Sequence, residues 1–295
     1  MKKRFRMMLF AGLAPALAVG GCSGDDHHSE FISFATMPKP GTSQLPAVTT
    51  ELSYKAAAPG SKVTSVSPTS GGSGSVTLTV DASGSVTGLT IDGAQSNVSF
   101  SNANGSLLTS NAGVARAQSA DGKNFAIGAD YKTLGYNYQT FGAWLTGAGT
   151  GSGNAGAFSA GAPTPVSSVP VTGTATYNGT AGGIYVDSSG TTFVAAGSSA
   201  LAANFANHSV SYSTSGTTAV DSATGAALPN PSVLNMQGTL SLAAGSNAFS
   251  GSVSSSSLNG SASGRFYGPT ANEAGGTFAL RGPGVSTYLG AFGAK

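Results

Sequence analysis

The sequence predicts an all-β protein in two parts, a β-rich N-terminal region and a C-terminal antiparallel barrel, held at a membrane through an acylated cysteine. Three observations predict it. Apolar residues alternate with Ser and Thr in short runs, as in Val76-Thr77-Leu78-Thr79-Val80 and Thr239-Leu240-Ser241-Leu242, which is the period of a half-buried strand. No stretch of ten or more residues carries apolar positions at helical spacing. Glycine supplies 44 of the 295 residues and charged residues only 8%, so turns are frequent and the surface is built from hydroxyls and amides.

The first residues, Met1-Lys2-Lys3-Arg4-Phe5-Arg6, are basic, and residues 7–19 are apolar but too short to span a bilayer comfortably. Residues 1–21 therefore read as an export signal. Val19-Gly20-Gly21-Cys22 resembles a bacterial lipobox, in which a small residue precedes a cysteine that is diacylated on sulfur and becomes the acylated mature N-terminus. Cys22 is the only cysteine, so no intramolecular disulfide can form. Several acyl chains on one residue give durable anchoring, and Ser23 after the cysteine resembles the outer-membrane sorting pattern. The expected location is the outer membrane, lipid-anchored and facing the cell exterior.

Cleavage also changes the charge. The whole chain is +2, but removing Lys2, Lys3, Arg4 and Arg6 leaves nine basic against eleven acidic side chains, about −2. With no basic patch left, nucleic acid is not an expected partner.

Residues 22–46 read as a flexible tether, with isolated apolar residues, prolines and no period. Asp25, Asp26, His27 and His28 lie there, but adjacent residues on a flexible chain make an unshaped metal site, so no metal is expected. Residues 47–135 read as the first β-rich region. Turn sequences such as Asp81-Ala82-Ser83-Gly84 and Asp92-Gly93 separate its strands. Residues 136–295 read as the barrel. Tyr136, Tyr138, Phe141 and Trp144 mark its entering strand, residues 147–165 a Gly-rich loop, and residues 215–232 a second long connection. Short strands are expected at 172–177, 183–186, 192–196, 210–214, 236–242, 248–253, 260–267, 277–280 and 287–292, a succession that favours an up-and-down barrel with no open edges. One face carries Leu240, Leu242, Phe278 and Leu280 and the other Thr239, Ser241, Thr277 and Ala279. A lipid-spanning barrel needs an apolar outer band, so this apolar face should fill the interior of a soluble barrel.

Enzymatic chemistry finds no support, and no cofactor is expected. Gly151-Ser152-Gly153-Asn154-Ala155-Gly156 has dinucleotide-loop spacing but lacks the preceding hydrophobic strand, the following helix and the acidic residue about twenty positions on. Gly71-Gly72-Ser73-Gly74-Ser75-Val76 starts like a calcium-binding nonapeptide but has Val76 where Asp is required, and it does not recur. His208 is the only histidine beyond the tether, there is no Gly-x-Ser-x-Gly elbow, and pairing His208 with Asp187 or Asp221 is unmotivated.

The stretch with most local information is Gly264-Arg265-Phe266-Tyr267-Gly268-Pro269-Thr270-Ala271-Asn272-Glu273-Ala274-Gly275-Gly276-Thr277-Phe278. It reads as strand, tight helical turn, strand. Pro269 suits the first turn position, Glu273 can accept free amides, and Gly275-Gly276 is expected to leave with positive φ. This pattern resembles the last hairpin of the β-barrel domain of the transferrin-binding protein B family, surface lipoproteins of Gram-negative bacteria. Residues 170–179 (Pro-Val-Thr-Gly-Thr-Ala-Thr-Tyr-Asn-Gly) are similar to that family's first barrel strand, and Tyr288-Leu289-Gly290-Ala291-Phe292-Gly293 to its closing strand. The resemblance implies a β-rich handle domain packed on an eight-stranded barrel. It implies a binding module for an iron source, either a host-type iron protein or haem, passed on to an outer-membrane receptor, with a lipoprotein translocator as a further partner. Some single-lobe relatives bind haem, which takes a His or Tyr axial ligand, and makes His208 the one cofactor-binding candidate. Low charge and hydroxyl-rich strands equally suit a structural or adhesive envelope lipoprotein. Ligand binding is expected at loop tips, where a rigid barrel can vary.

Overall fold

The computed structural model describes residues 32–57 and 62–295. The first β unit contains β1 (Gly41–Ala56), β2 (Val63–Val66), β3 (Ser70–Val80), β4 (Val86–Asp92), β5 (Asn97–Ser101), β6 (Leu107–Asn111), β7 (Val114–Gln118), β8 (Phe125–Ala129), the one-turn helix α1 (Tyr131–Leu134), β9 (Gln139–Leu145) and β10 (Ser152–Gly161). Apart from β2, which pairs only with β1, these strands form one antiparallel sheet in the order β5-β4-β3-β1-β10-β9-β8-β7-β6. The pairing of β1 with β10, Ala47 opposite Ala160 and Lys55 opposite Ser152, joins its two halves. Alternate residues converge on a core that includes Leu45, Val76, Ile91, Phe100, Trp144 and Phe158. We call this unit the handle.

The second unit is a closed eight-stranded antiparallel barrel: β11 (Thr174–Val186), β12 (Thr192–Asn204), β13 (Ser209–Asp221), β14 (Gln237–Leu242), β15 (Ala248–Ser254), β16 (Asn259–Tyr267), β17 (Glu273–Arg281) and β18 (Thr287–Ala294). β18 returns to β11, with Leu289 opposite Ile184, so the ring has no free edge. The interior is filled. Phe266, fully buried, lies 5.2 Å from the Phe249 ring, 5.5 Å from Phe205 and 5.8 Å from Tyr177. Leu240, Leu242, Phe278 and Leu280 point inward as their alternation requires, while Ser211, Ser213, Thr239 and Ser252 face out. An apolar inside with a hydroxyl outside is the reverse of a lipid-spanning barrel. No helix among the described residues is long and apolar enough to cross a membrane.

Five boundaries differ from the sequence expectation. The tether cannot run to residue 46, because Phe34 and Met37 are buried and β1 begins at Gly41. The barrel does not begin at residue 136: β9 and β10 belong to the handle sheet, and the aromatic stretch around Phe141 packs against the barrel instead of entering it. The Gly-rich segment 147–165 is mostly strand β10. Its glycines mark close packing, since a Cβ on Gly156 would overlap the Trp144 indole. The connection expected at 215–232 starts later, after β13 ends at Asp221, and closes with a short helical turn, Pro231–Leu234. The runs at 172–177 and 183–186 fuse into β11, because Gly179, Gly182 and Gly183 are strand residues at sites of close approach.

Candidate functional site

The β16–β17 corner, the most informative stretch of the sequence, lies where the barrel, the handle and the connector between them (residues 162–173) meet. Residues 268–271 form the turn. Gly268 has φ 85° and Ala271 φ 58°, so the left-handed positions precede the expected Gly275-Gly276, which are extended residues of β17. The Asn272 side chain accepts from the amide of Thr270 at 3.2 Å, and Tyr177 donates to the Ala271 carbonyl at 2.8 Å from inside the barrel. The connector grips the outside of the corner: Thr164 donates its amide to Phe266 O at 2.9 Å and its hydroxyl to Gly268 O at 2.7 Å.

Glu273 does accept free amides, but those of the handle. Its carboxylate receives the N–H of Asn137 at 2.7 Å and of Tyr138 at 3.3 Å, and it is 2% exposed. Burial pushes its pKa up, opposed by these amides and more weakly by Lys295. Around it the handle inserts side chains into gaps in the barrel wall. Gln139 donates to the carbonyls of Ala274 at 3.0 Å and Ala294 at 3.1 Å. Tyr136 donates to Gly293 O at 2.8 Å, and Phe141 lies over Gly293, where a Cβ would overlap its ring. Gly275 leaves the space that the Gln139 carboxamide occupies. Leu289 and Ala291 of β18 are part of the handle's core cluster, so the two units share apolar packing as well as hydrogen bonds.

Tyr267 completes the seam. Its hydroxyl donates to Ser159 O at 3.0 Å and lies 2.9 Å from Ser159 Oγ. Burial raises its pKa to about 12, which keeps it a neutral donor at any physiological pH. We expect Tyr267→Phe to lower the melting temperature, by about 1–2 kcal/mol of stability, because Ser159 then loses its buried partner. An unchanged melt would mean that water replaces the phenol.

Of the residues singled out in the sequence, Cys22, Asp25, Asp26, His27 and His28 lie outside the described residues. His208 stands at the exposed β12–β13 turn with φ 50°, its carbonyl accepting from Leu242 N at 2.9 Å. Asp187 and Asp221 are each engaged in capping their own turns, Asp187 on the amides of Ser189 and Thr191 and Asp221 on those of Ala223 and Thr224. The structure does not bring either into a group with His208 and a nucleophile. Among the described residues there is no group of three or more His, Cys, Asp or Glu placed to hold a metal. The sequence reading missed Gln139, Ser159 and Thr164. It also missed Glu51, which is buried in the handle and accepts from Ser96 Oγ at 2.8 Å and Gln95 N at 3.2 Å. The signal for Gln139, Ser159 and Glu51 was polarity inside otherwise apolar strands, and Thr164, outside the strands, carried none.

Comparisons with known proteins bear on the barrel. Residues 169–295 match the family described as the C-lobe and N-lobe beta barrels of Tf-binding protein B. No curated protein matches the chain. Three solved structures are similar. A mutant of transferrin-binding protein B from Haemophilus parasuis Hp5 aligns at 14% identity over 88% of this chain and 77% of that one, TM-score 0.41. Isotype 1 transferrin-binding protein B from serogroup B Neisseria meningitidis aligns at 18% over 84% and 43%, TM-score 0.43. The N-lobe domain of lactoferrin-binding protein B from Moraxella bovis aligns at 12% over 84% and 99%, TM-score 0.43. The family match starts five residues before β11 and runs to Lys295, so it coincides with the closed ring. Residues 169–295 form a transferrin-binding protein B-like β-barrel domain.

Proposed function

We propose that the protein is a non-enzymatic surface lipoprotein, anchored through acylated Cys22 in the outer membrane, that captures an iron-carrying protein. The observation that carries this reading is the family match of the whole barrel to transferrin-binding protein B barrels. The barrel is a rigid platform, and the connection at residues 222–236 is the long barrel loop available for a partner. Haem as the ligand, with His208 as its axial group, has less support, because the exposed turn places His208 on none of the described apolar clusters. Delivery to an outer-membrane receptor, and export by a lipoprotein translocator, belong to the same proposal.

A second reading, an adhesive or structural envelope lipoprotein, is favoured by one observation. The large exposed apolar residues of the connector and barrel are only Val166, Val171 and Val220, whereas tight protein interfaces concentrate Trp, Tyr and Arg. A pull-down from serum and from haem solution, using the form that starts at Ser23, separates the two. Capture of transferrin or lactoferrin, lost when residues 222–230 are replaced by a short turn, supports iron-protein binding. Capture of neither protein nor haem overturns it in favour of the envelope role. For the anchor, Cys22→Ser is expected to move the protein from the detergent phase to the aqueous phase, since no other thiol can be acylated. Retention in the detergent phase would place the anchor elsewhere.

A further inference from the structure

The outer wall of the barrel carries a depression of about 790 Å³ on the side of β11 to β16. It spans five strand spacings, roughly 24 Å along the curved sheet. Its floor stays open because the outward positions of β12 there carry only the short side chains Ala200 and Ala202. No charged residue lines it.

Its polar side chains differ from those of the handle. On the handle's outer face hydroxyls and amides pair across strands: Thr42 with Thr79 at 3.0 Å, Thr90 with Ser99 at 2.9 Å, Gln44 with Ser75 at 3.1 Å and Ser53 with Asn154 at 2.8 Å. In the barrel depression Thr176, Ser211, Ser213, Gln237, Thr239 and Ser252 have no side-chain partner among the described residues. Their register aligns them in two rows, Ser211 beside Thr239 and Ser213 beside Gln237. Each hydroxyl can both donate and accept, and Gln237 does both through separate atoms.

These features select a ligand chemistry. A phosphate, sulfate or carboxylate would find no cation to pair with, and an ammonium no anion. Leu201, Tyr212 and Val253 at its floor are buried, so the apolar side chains it offers a lipid or haem are the Ala200 and Ala202 methyls. A ligand matched to rows of uncommitted neutral donors and acceptors must itself carry many neutral donors and acceptors. We propose that this wall is a binding site for a neutral oligosaccharide, independent of the iron-protein reading above. Exposed neutral hydrogen bonds are individually weak, so the expected affinity is micromolar to millimolar, suited to many such contacts along a glycan chain.

The test uses the full chain purified in a detergent without a sugar headgroup, titrated with a maltose series and an N-acetylglucosamine series, with oligogalacturonate as the charged comparison. Binding of at least one neutral series, with oligogalacturonate at least tenfold weaker, is expected. Ala202→Trp fills the depression from an exposed position and should weaken binding at least tenfold at an unchanged melting temperature. Ser252→Asp, which places a charge there at little change in size, should weaken it too, and Asn111→Trp on the handle should not. The proposal is overturned if neither neutral series binds, if oligogalacturonate binds equally well, or if both wall variants bind as the parent does.

Discussion

Gly276→Val is expected to destabilise the barrel by about 3 kcal/mol or more, a large fraction of a domain's ordinary stability. Gly276 is an extended residue of β17 and sits opposite Gly264 of β16. A Cβ there would overlap the Ser263 carbonyl, and would lie 2.7 Å from Gly264 Cα and 2.8 Å from the Phe292 ring. The first two are backbone atoms of a strand held by its own ladder, so they cannot move aside as a flexible side chain could. Valine adds two methyl groups to that overlap. Gly245 provides the contrast. It has φ 64° and nothing within 4 Å of a built Cβ, so Gly245→Asn, a residue that tolerates the left-handed region, should change stability by less than about 0.5 kcal/mol. Thermal melts of the two variants beside the parent decide it. If Gly276→Val melts within a degree or two of the parent, β16 and β17 do not pack as closely as described.

That prediction also shows what the sequence made legible. The alternation of Leu240, Leu242, Phe278 and Leu280 with hydroxyl residues reported both the strands and their inward face, because burial in a barrel follows the two-residue period directly. The corner at 264–278 was recognisable because turn, proline and acid sit at fixed offsets. The reason for Gly275-Gly276 was misread: a glycine pair after a turn suggests positive φ, whereas here each glycine clears room for a neighbour in space. Such a cause depends on Gln139 and Phe292, residues distant in sequence, and no local pattern carries it. The same limit explains the displaced boundary. Residues 139–144 and 155–161 are buried on both faces because one face meets the handle core and the other meets the barrel. A strand buried on both sides loses its alternation and, when rich in Gly and Ala, reads as a loop.

Replacing Glu273 should uncouple the handle from the barrel. The carboxylate is the one acidic group in the described seam that receives handle amides, and Glu273→Ala leaves the part-buried N–H groups of Asn137 and Tyr138 without that acceptor. We expect a loss of about 3 kcal/mol, with the β9 and β10 amides exchanging faster than those of the barrel. Glu273→Gln keeps an oxygen acceptor and removes the charge, and here pH gives the sharper readout. Burial raises the Glu273 pKa above its ordinary value near 4.5, so the folded state holds the proton more tightly than the unfolded chain does. A group of that kind contributes stability that is full below the unfolded pKa and is lost as pH rises through the folded value. Relative to Glu273→Gln, which has no such titration, the parent should be most stable near pH 4 and lose ground as pH climbs toward 7. Melting temperatures of both proteins from pH 4 to pH 7 measure the difference directly. If the parent instead gains on the glutamine variant as pH rises, the amides of Asn137 and Tyr138 outweigh desolvation, and the seam is held by a carboxylate that the fold prefers ionised.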